Sequence, residues 1–527
     1  MQKIFSREQM QRCDAHTIAN EPVASILLME RAACALFEVI INDYNNLKYH
    51  IYCGQGNNGG DGLALARLLT SAGKNIEVFV IKEKESGSVD FEINLERLKA
   101  LSGVKLHEIR SKDDFPQSSD EAYIIDALLG TGMKGIATGL TKEAIDFINA
   151  LPNIKIAVDV PSGLPCDEPF SSNSSIVYAT VTLSFQLMKL AFLLPESQQY
   201  CGKVKLLDIG LHANFIKEES TKYYLTDSND VRDLLVPRKR FAHKGNFGHA
   251  LIISGSEGKH GAALLCAKAC ARSGVGLVTV HSVKALQPAL NMYLPSAMFH
   301  ASSNDTCISD LPDLETYEVI AAGCGIGKSA ATQSMLKLLI QQCKVPLLLD
   351  ADAINILADN KTWLSFLPAG SMLTPHPKEF ERLCGKWSNS FERMKMQKDF
   401  SIKYNCFVLL KGAYTCITTP LGNYYFNPTG NPGMAKGGSG DALTGVILAL
   451  LAQGLNQTEA CIAGAYIHGL AGDLAAEKFG HRGMLPEDLI DELGNAIKLI
   501  ESMHVAQVSD KGTSTLNSST GWIEKKM

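Results

Sequence analysis

Tyr49-His-Ile-Tyr-Cys-Gly-Gln-Gly-Asn-Asn-Gly-Gly-Asp-Gly62 runs from a short apolar and aromatic segment into a glycine-rich turn. Leu63 to Ser71 then takes up helical periodicity, and Ile76-Glu-Val-Phe-Val-Ile81 reads as a second strand, closing a βαβ unit. Strands ending in Ile125-Asp126 and Val158-Asp-Val160 follow, with helix-like segments between them. Upstream, Glu8 to His16 and Ile26 to Ile41 carry helical patterns. Strand alternating with helix predicts a mostly parallel sheet covered on both faces. Ligands of such sheets gather at the carboxyl ends of the strands, where the glycine-rich turn, Asp126 and Asp159 all fall.

A second α/β series starts at His249-Ala-Leu-Ile-Ile-Ser254 and continues through the helix Gly261–Ser273 and the strand Leu277–Val280. Further strands are expected at Val319–Ala322, Pro346–Asp350 and Cys406–Leu410, with helices over Asp441–Gln453 and Thr458–Lys478. Between the two series, residues 212–240 are charged and weakly patterned. We expect domains at 1–216 and 241–503, a linker at 217–240, and a disordered Ser/Thr/Asn-rich tail at 504–527. The 527 residues are 46% hydrophobic and 20% charged with a formal net charge of −5, which gives no reason to expect nucleic acid or an anionic membrane as partner. Met1-Gln-Lys-Ile-Phe-Ser6 leads into no apolar run, and no stretch of about 18 apolar residues occurs, so a cytoplasmic protein is expected. The fourteen cysteines are scattered without a Cys-x-x-Cys, which predicts free thiols used as small core residues rather than zinc ligands or disulfides.

Chemistry in the second half centres on Asn427-Pro-Thr-Gly-Asn-Pro-Gly-Met-Ala-Lys-Gly-Gly-Ser-Gly-Asp441. Its glycines let consecutive backbone N–H groups converge on an anion, and the helix that follows adds its positive end. Asp441 at that end can take a proton from a substrate hydroxyl beside the phosphate. A plain helix cap would not need so long a glycine-rich approach. Ala322-Gly-Cys-Gly-Ile-Gly-Lys-Ser329 nearly matches a P-loop, but Ala322 stands at its first glycine and no Walker B segment accompanies it. A substrate-facing turn at Gly325 is the better reading. Lys411-Gly-Ala-Tyr-Thr415 offers a cation and a hydroxyl after a strand, and Thr374-Pro-His-Pro-Lys-Glu379 holds His376 in a stiff, non-helical turn.

These motifs, with Gly261-Ala-Ala263 and in this order, resemble the NAD(P)H-hydrate dehydratase family over about 225–500. The resemblance implies a ribokinase-like fold. It places Ala262, Gly325, His376 and Asp441 on the hydrated nicotinamide nucleotide, and Lys411, Gly412, Ala413, Tyr414, Thr415 and Gly440 on ADP with Mg²⁺. Cys324 and Lys378 depart from the family's usual Pro and Gly. A vitamin kinase of the same fold, fused to a non-catalytic dinucleotide-binding or interaction module, is the alternative.

In the first half, Gly54-x-Gly-x-x-Gly59 has dinucleotide-fold glycine spacing, yet Lys82 rather than an acid closes the next strand, which argues against a dehydrogenase. Asp126, Asp159 and Ser162 at neighbouring strand ends can bind a cation or move a proton. Together with the Asn-Asn-Gly-Gly-Asp turn they resemble the NAD(P)H-hydrate epimerase domain over about 5–212, a Rossmann-like αβα domain. That resemblance puts the dinucleotide on Asn57, Asn58, Gly59, Gly60 and Asp61 and on Gly130, Thr131, Gly132, Met133, Lys134, Gly135 and Ile136. It puts K⁺ on Asn58, Asp126 and Ser162, and acid–base work on Asp159. An Arg common in the Gly-Thr-Gly loop is absent, leaving phosphate contact to Lys134; Asp167-Glu168 departs from the usual Asp-Thr-Gly. The implied whole has two α/β three-layer domains. It is a bifunctional enzyme that interconverts the C6 epimers of hydrated NADH and NADPH, dehydrates the S form at the expense of ADP, and assembles as a homo-oligomer.

Overall fold

The computed structural model describes residues 1–509 except 22, 46–47, 117–120, 134 and 172, with backbone only for 503–509. Lys134 and the expected tail beyond 509 lie outside the described residues. The chain divides into two compact units. The first is Gln2–Leu225 with Lys386–Gln397, and the second is Met1, Thr226–Gly385 and the chain from Lys398 onward.

The first unit contains β1 (Gln2–Lys3), α1 (Arg7–Asn20), α2 (Ser25–Asp43), β2 (Lys48–Cys53), α3 (Asn57–Ser71), β3 (Ile76–Ile81), α4 (Val89–Lys99) and β4 (Lys105–Ile109). It continues through β5 (Ala122–Ala127), α5 (Gly139–Ala150), β6 (Lys155–Val158), β7 (Val181–Phe185), α6 (Gln198–Cys201), β8 (Lys203–Leu207), α7 (Ala213–Glu218) and β9 (Tyr223–Leu225). Strands β2 to β8 form one parallel sheet of order β4-β3-β2-β5-β6-β7-β8. Side chains alternate across it. Ile51 and Ile125 pack with Leu36 of α2 and Leu65 of α3, while Tyr52 and Ile124 pack with Ile145 and Ile148 of α5. The strand order reverses between β2 and β5, which opens a crevice at their carboxyl ends, beside the glycine-rich turn. The late segment Lys386–Gln397 joins this unit, where Ser390 donates from N and Oγ to the Glu196 carboxylate, both at 2.6 Å.

The second unit contains α8 (Ser228–Leu234), β10 (His249–Ile253), α9 (His260–Arg272), β11 (Leu277–Ser282), α10 (Gln287–Tyr293), β12 (Met298–Ala301), β13 (Val319–Ala322), α11 (Ala330–Gln342), β14 (Leu347–Leu349) and α12 (Ala351–Asp359). After these come β15 (Met372–Leu373), α13 (Pro377–Cys384), α14 (Ser390–Lys403, which starts in the first unit), β16 (Phe407–Leu410), β17 (Cys416–Thr418), β18 (Tyr424–Phe426), α15 (Ser439–Ala452), α16 (Gln457–Gly483) and α17 (Pro486–Ser509). Its nine strands run in the order β18-β17-β16-β15-β14-β13-β10-β11-β12, parallel except for the antiparallel β16–β17–β18 meander. Helix α15 is buried along its whole length save Gly440 and Asp441. A Cβ at Gly445 would stand 2.2 Å from the Cys266 carbonyl oxygen of α9, so this glycine sets how closely the two helices approach.

Two details differ from expectation. The stretch 212–240 is partly regular, holding α7, β9 and α8, because short capped segments such as Asp227-Ser-Asn-Asp230 (a capping box) form helix with little periodicity to reveal it. The turn at His376 is a helix start: Pro377 occupies the first helical position, where a missing N–H costs nothing. All fourteen cysteines lie among the described residues, and all are free, most of them buried.

Candidate active sites

In the second unit the carboxyl ends of β10, β13, β14 and β16 meet the N-terminus of α15. Gly438 caps that helix in left-handed geometry (φ 102°), and Asp441 follows in its first turn. Asp350, just beyond β14, is 1% exposed. Lys411 Nζ donates to its Oδ1 at 2.7 Å and Thr444 Oγ1 to its Oδ2 at 2.9 Å. Asp350 is followed by Ala351 at φ 48°, a strained conformation that fixes the turn. Oxygen atoms of Asp350 and Asp441 and the Cys324 sulfur lie within 4.8 Å of one another. Burial pushes the Asp441 carboxyl up to about 6, with Asp350 adding to the rise and Cys324 and Lys411 opposing it. Burial alone would lower Lys411, but Asp350 outweighs it and the ammonium is held charged.

The glycine-rich loop is anchored from behind. Asp473 on α16 accepts from Gly430 N and Asn431 Nδ2, each at 2.9 Å, and His468 Nε2 lies 2.9 Å from the Ser439 carbonyl oxygen. Burial pushes the His468 imidazole down to about 4, so it is neutral and donates to that carbonyl. Opposite, Gly325 (φ 64°) meets Ala262: a Cβ on Gly325 would stand 3.1 Å from the Ala262 Cβ, so the backbone of this turn lies directly on α9. His376 Nδ1 accepts from Lys378 N and Glu379 N, and burial, with Lys411, lowers its pKa. The imidazole is therefore neutral with its proton on Nε2. Of the expected nucleotide residues, Lys411 and Gly440 are adjacent: a Gly440 Cβ would fall 2.9 Å from Lys411 Nζ. Gly412 to Thr415 form the turn after β16, where Thr415 Oγ1 donates to the Gly412 carbonyl at 3.2 Å.

In the first unit, Asn57 to Asp61 form the opening turn of α3, and Asn58, Gly59 and Gly60 are buried. Gly130 packs against Asn58, its added Cβ 3.2 Å from Asn58 Oδ1. Asp126 accepts from Ser162 Oγ (2.5 Å) and Leu128 N (3.2 Å) at Oδ1 and from Ser162 N (2.8 Å) at Oδ2. Burial raises Asp126 to about 6 against these donors. Asn58 Nδ2 is buried without a hydrogen-bond partner. An amide turned to present its oxygen at that spot, a buried carboxylate and a hydroxyl make an all-oxygen donor set, which fits a monovalent cation.

Asp159 stands at φ 63° in a tight turn. Its Oδ1 accepts from Ser184 Oγ and Phe185 N (both 3.2 Å), and Lys189 Nζ lies 3.1 Å away. Lys189 is 2% exposed and also donates to the Phe185 and Leu187 carbonyls. Asp14 of α1 faces the same group. Burial raises it to about 6, Asp159 adds to the rise, and Lys189 opposes it. Asp61 is pushed well above its usual range by burial, then by Asp159 and Asp14. The loop Gly130–Ile136 is held by Arg7, which donates from Nη1 to the Met133 carbonyl (3.2 Å), and by Glu168, which accepts from Gly135 N (3.1 Å). Thr131 and Gly132 lie in the exposed turn between, and Ile136 is exposed. Asp350, Lys189, Asp14, Arg7, Asp473 and His468 were not singled out from sequence. Only strand-end position could have marked Asp350, and nothing local marks the others.

Fold and sites define the class: an α/β enzyme whose two units each set a glycine-rich turn and a buried carboxylate at the carboxyl ends of a parallel sheet. Residues 250–495 match the family described as NAD(P)H-hydrate dehydratase, and 25–191 match the YjeF-related protein N-terminus. The bifunctional NAD(P)H-hydrate repair enzyme Nnr of Moorella thermoacetica is 35% identical over 94% of this chain and 97% of its own. That of Escherichia coli K12 is 33% identical over 88% of each. Among solved structures, the ADP/ATP-dependent NAD(P)H-hydrate dehydratase of Bacillus subtilis, co-crystallised with ATP/Mg²⁺, is 29% identical, covering 54% of this chain and 100% of that one at a TM-score of 0.47. The chain belongs to the family of bifunctional NAD(P)H-hydrate repair enzymes.

Proposed function

We propose that the first unit epimerises hydrated NADH and NADPH at C6 and that the second dehydrates the S form to NAD(P)H, using ADP and releasing AMP and phosphate. The observation that carries the dehydratase reading is Asp441. It is a half-buried carboxylate at the mouth of α15, beside the Lys411–Asp350 pair and behind a loop of backbone donors. Asp441 takes the proton from the C6 hydroxyl as that oxygen attacks the terminal phosphorus of ADP, with AMP leaving. The ring nitrogen then expels phosphate from C6, and loss of a C5 proton restores the C5–C6 double bond. Lys411 and the loop amides of Gly437–Gly440 neutralise charge on the transferring group. Mg²⁺ would enter with the nucleotide phosphates. Asp350 and Asp441 would supply the one or two carboxylates such an ion takes alongside its waters, and the ion would screen phosphate charge.

The epimerase reading is supported by Asp159, which is positioned by Lys189 and Ser184 in the switch-point unit with Asp14 and Asp61 close by. Asn58, Asp126 and Ser162 would hold K⁺, whose charge would stabilise the dinucleotide cradle. The fourteen free thiols support a reducing, cytoplasmic compartment, in keeping with the described residues, among which no helix is long and apolar enough to cross a membrane. Val236 and Phe241, 76% and 94% exposed, are apolar surface that a homo-oligomer would cover, which light scattering tests.

One assay tests both activities: mixed C6 epimers with ADP or ATP, followed by NAD(P)H absorbance. Wild type converts all of the hydrate. Asp159→Ala converts the S half once spontaneous epimerisation is subtracted, and Asp441→Asn converts the hydrate at least about 10²-fold more slowly. No NAD(P)H from either nucleotide sinks the dehydratase reading. Full conversion by Asp159→Ala removes Asp159 from the epimerase.

A further inference from the structure

The second unit's site contains a sulfur donor that phosphoryl transfer leaves unused, set beside the two carboxylates that serve it. Cys324 Sγ and oxygens of Asp350 and Asp441 lie within 4.8 Å of one another, and Cys324 and Asp350 are buried. The thiol points at Asp350 Oδ2 from 3.9 Å. Asp350 is braced by Lys411 on its other oxygen and by Thr444 on Oδ2 itself. We propose that in the nucleotide-free enzyme this trio binds one thiophilic divalent cation, Zn²⁺ being the natural fit, and that the bound ion inhibits dehydration.

The donor chemistry selects the ion. Carboxylates alone suit Mg²⁺ or Ca²⁺, whereas a thiolate beside two carboxylates with an open fourth position suits tetrahedral Zn²⁺ or Co²⁺. Charge closes as well: one thiolate and two carboxylates against a divalent ion and the Lys411 ammonium leave the cluster neutral, the thiol proton passing to solvent. Lys411 and Thr444 then orient Asp350 as outer partners. Cys324 occupies the glycine turn Gly323–Gly327, where the resemblance leads one to expect proline, so the sulfur ligand is a property of this chain rather than of the site's general plan. Because the ion takes the Asp441 carboxylate that must accept the C6 proton, it competes with productive substrate binding. It has no ligand in the first unit and leaves epimerisation unaffected.

The test uses metal-free, full-length protein titrated with Co²⁺ without substrate, so its outcome is independent of the dehydratase reading. One equivalent is expected to bind with a thiolate-to-cobalt charge-transfer band, displaced by Zn²⁺. The band is lost in Cys324→Ser and retained in Cys266→Ser, which removes the neighbouring thiol. Asp441→Asn, which keeps the sulfur, binds at least about tenfold more weakly, the lower end of what losing even an outer partner costs a metal site. An unchanged band in Cys324→Ser, or unchanged affinity in Asp441→Asn, overturns the proposal. Should Cys324→Ser fail to fold by circular dichroism, alkylation of Cys324 in the wild-type enzyme decides, read by mass spectrometry. Zn²⁺ is expected to slow it, and equal rates with and without Zn²⁺ overturn the proposal.

Discussion

As the proposed base, Asp441 would work only as the carboxylate, yet its surroundings shift it toward the acid. With the group pushed up to about 6, chiefly by burial, kcat/KM for dehydration should fall about tenfold per pH unit below 6 and level off above it. Lys411 is one of the groups holding that value down, so Lys411→Met should move the acid limb to higher pH as well as lower the rate. A limb that stays in place would separate Lys411 from Asp441. Asp441→Asn should lose about 10²–10⁴ in kcat, the usual share of a general base. In the first unit the equivalent dependence is between Lys189 and Asp159. Both are buried, so Lys189→Met leaves a carboxylate without its cation and should cost on the order of 3–5 kcal/mol in denaturant unfolding, with epimerisation lost. The same loss from Lys189→Arg would point to packing rather than charge.

At the scale of elements, the glycine-rich loop is as useful as its supports make it. Its glycines permit the conformation but do not choose it; the choice comes from α16, through Asp473 on Gly430 and Asn431 and His468 on Ser439. Asp473→Ala should therefore cut dehydration about 10²-fold, the scale of an ångström of misplacement, while epimerisation by the other unit is unchanged. Equal rates before and after would show that the loop holds its shape without α16. The element level also shows what pattern could reveal. Parallel strands and the helices α3, α9 and α15 were readable because each is a long periodic or continuously apolar run. Helix α13 was not, since Pro377 and His376 read as a turn until the capping box with Glu379 is seen in space.

Across the whole molecule, the proposed K⁺ site would make Asp126 a link between stability and cation binding. Its folded pKa of about 6 lies above the usual carboxylate value, so between about 4 and 6 the folded state holds the proton that the unfolded chain has lost. Without K⁺, stability of the first unit therefore falls as pH rises through that window. A cation on the ionised carboxylate offsets the loss. KCl at 100 times its Kd should add about 2.7 kcal/mol near pH 7.5, against choline chloride of equal ionic strength, and little at pH 5. An equal gain at both pH values would take Asp126 out of the cation site.

The motifs that carry backbone chemistry were legible in this sequence. Glycine-rich turns, strand-end aspartates and the βα order depend on residues near one another in the chain, whose effect on local conformation is fixed by sterics. From them the family followed, and the comparisons return the same family. What only the tertiary structure decided is how side chains from distant segments face one another. Examples are Lys411 on Asp350, Lys189 and Asp14 around Asp159, Arg7 on the Met133 carbonyl, and Cys324 beside two carboxylates. Charge interaction and burial depend on distance through space and on excluded water. Spacing along the chain records neither until the sheets have assembled.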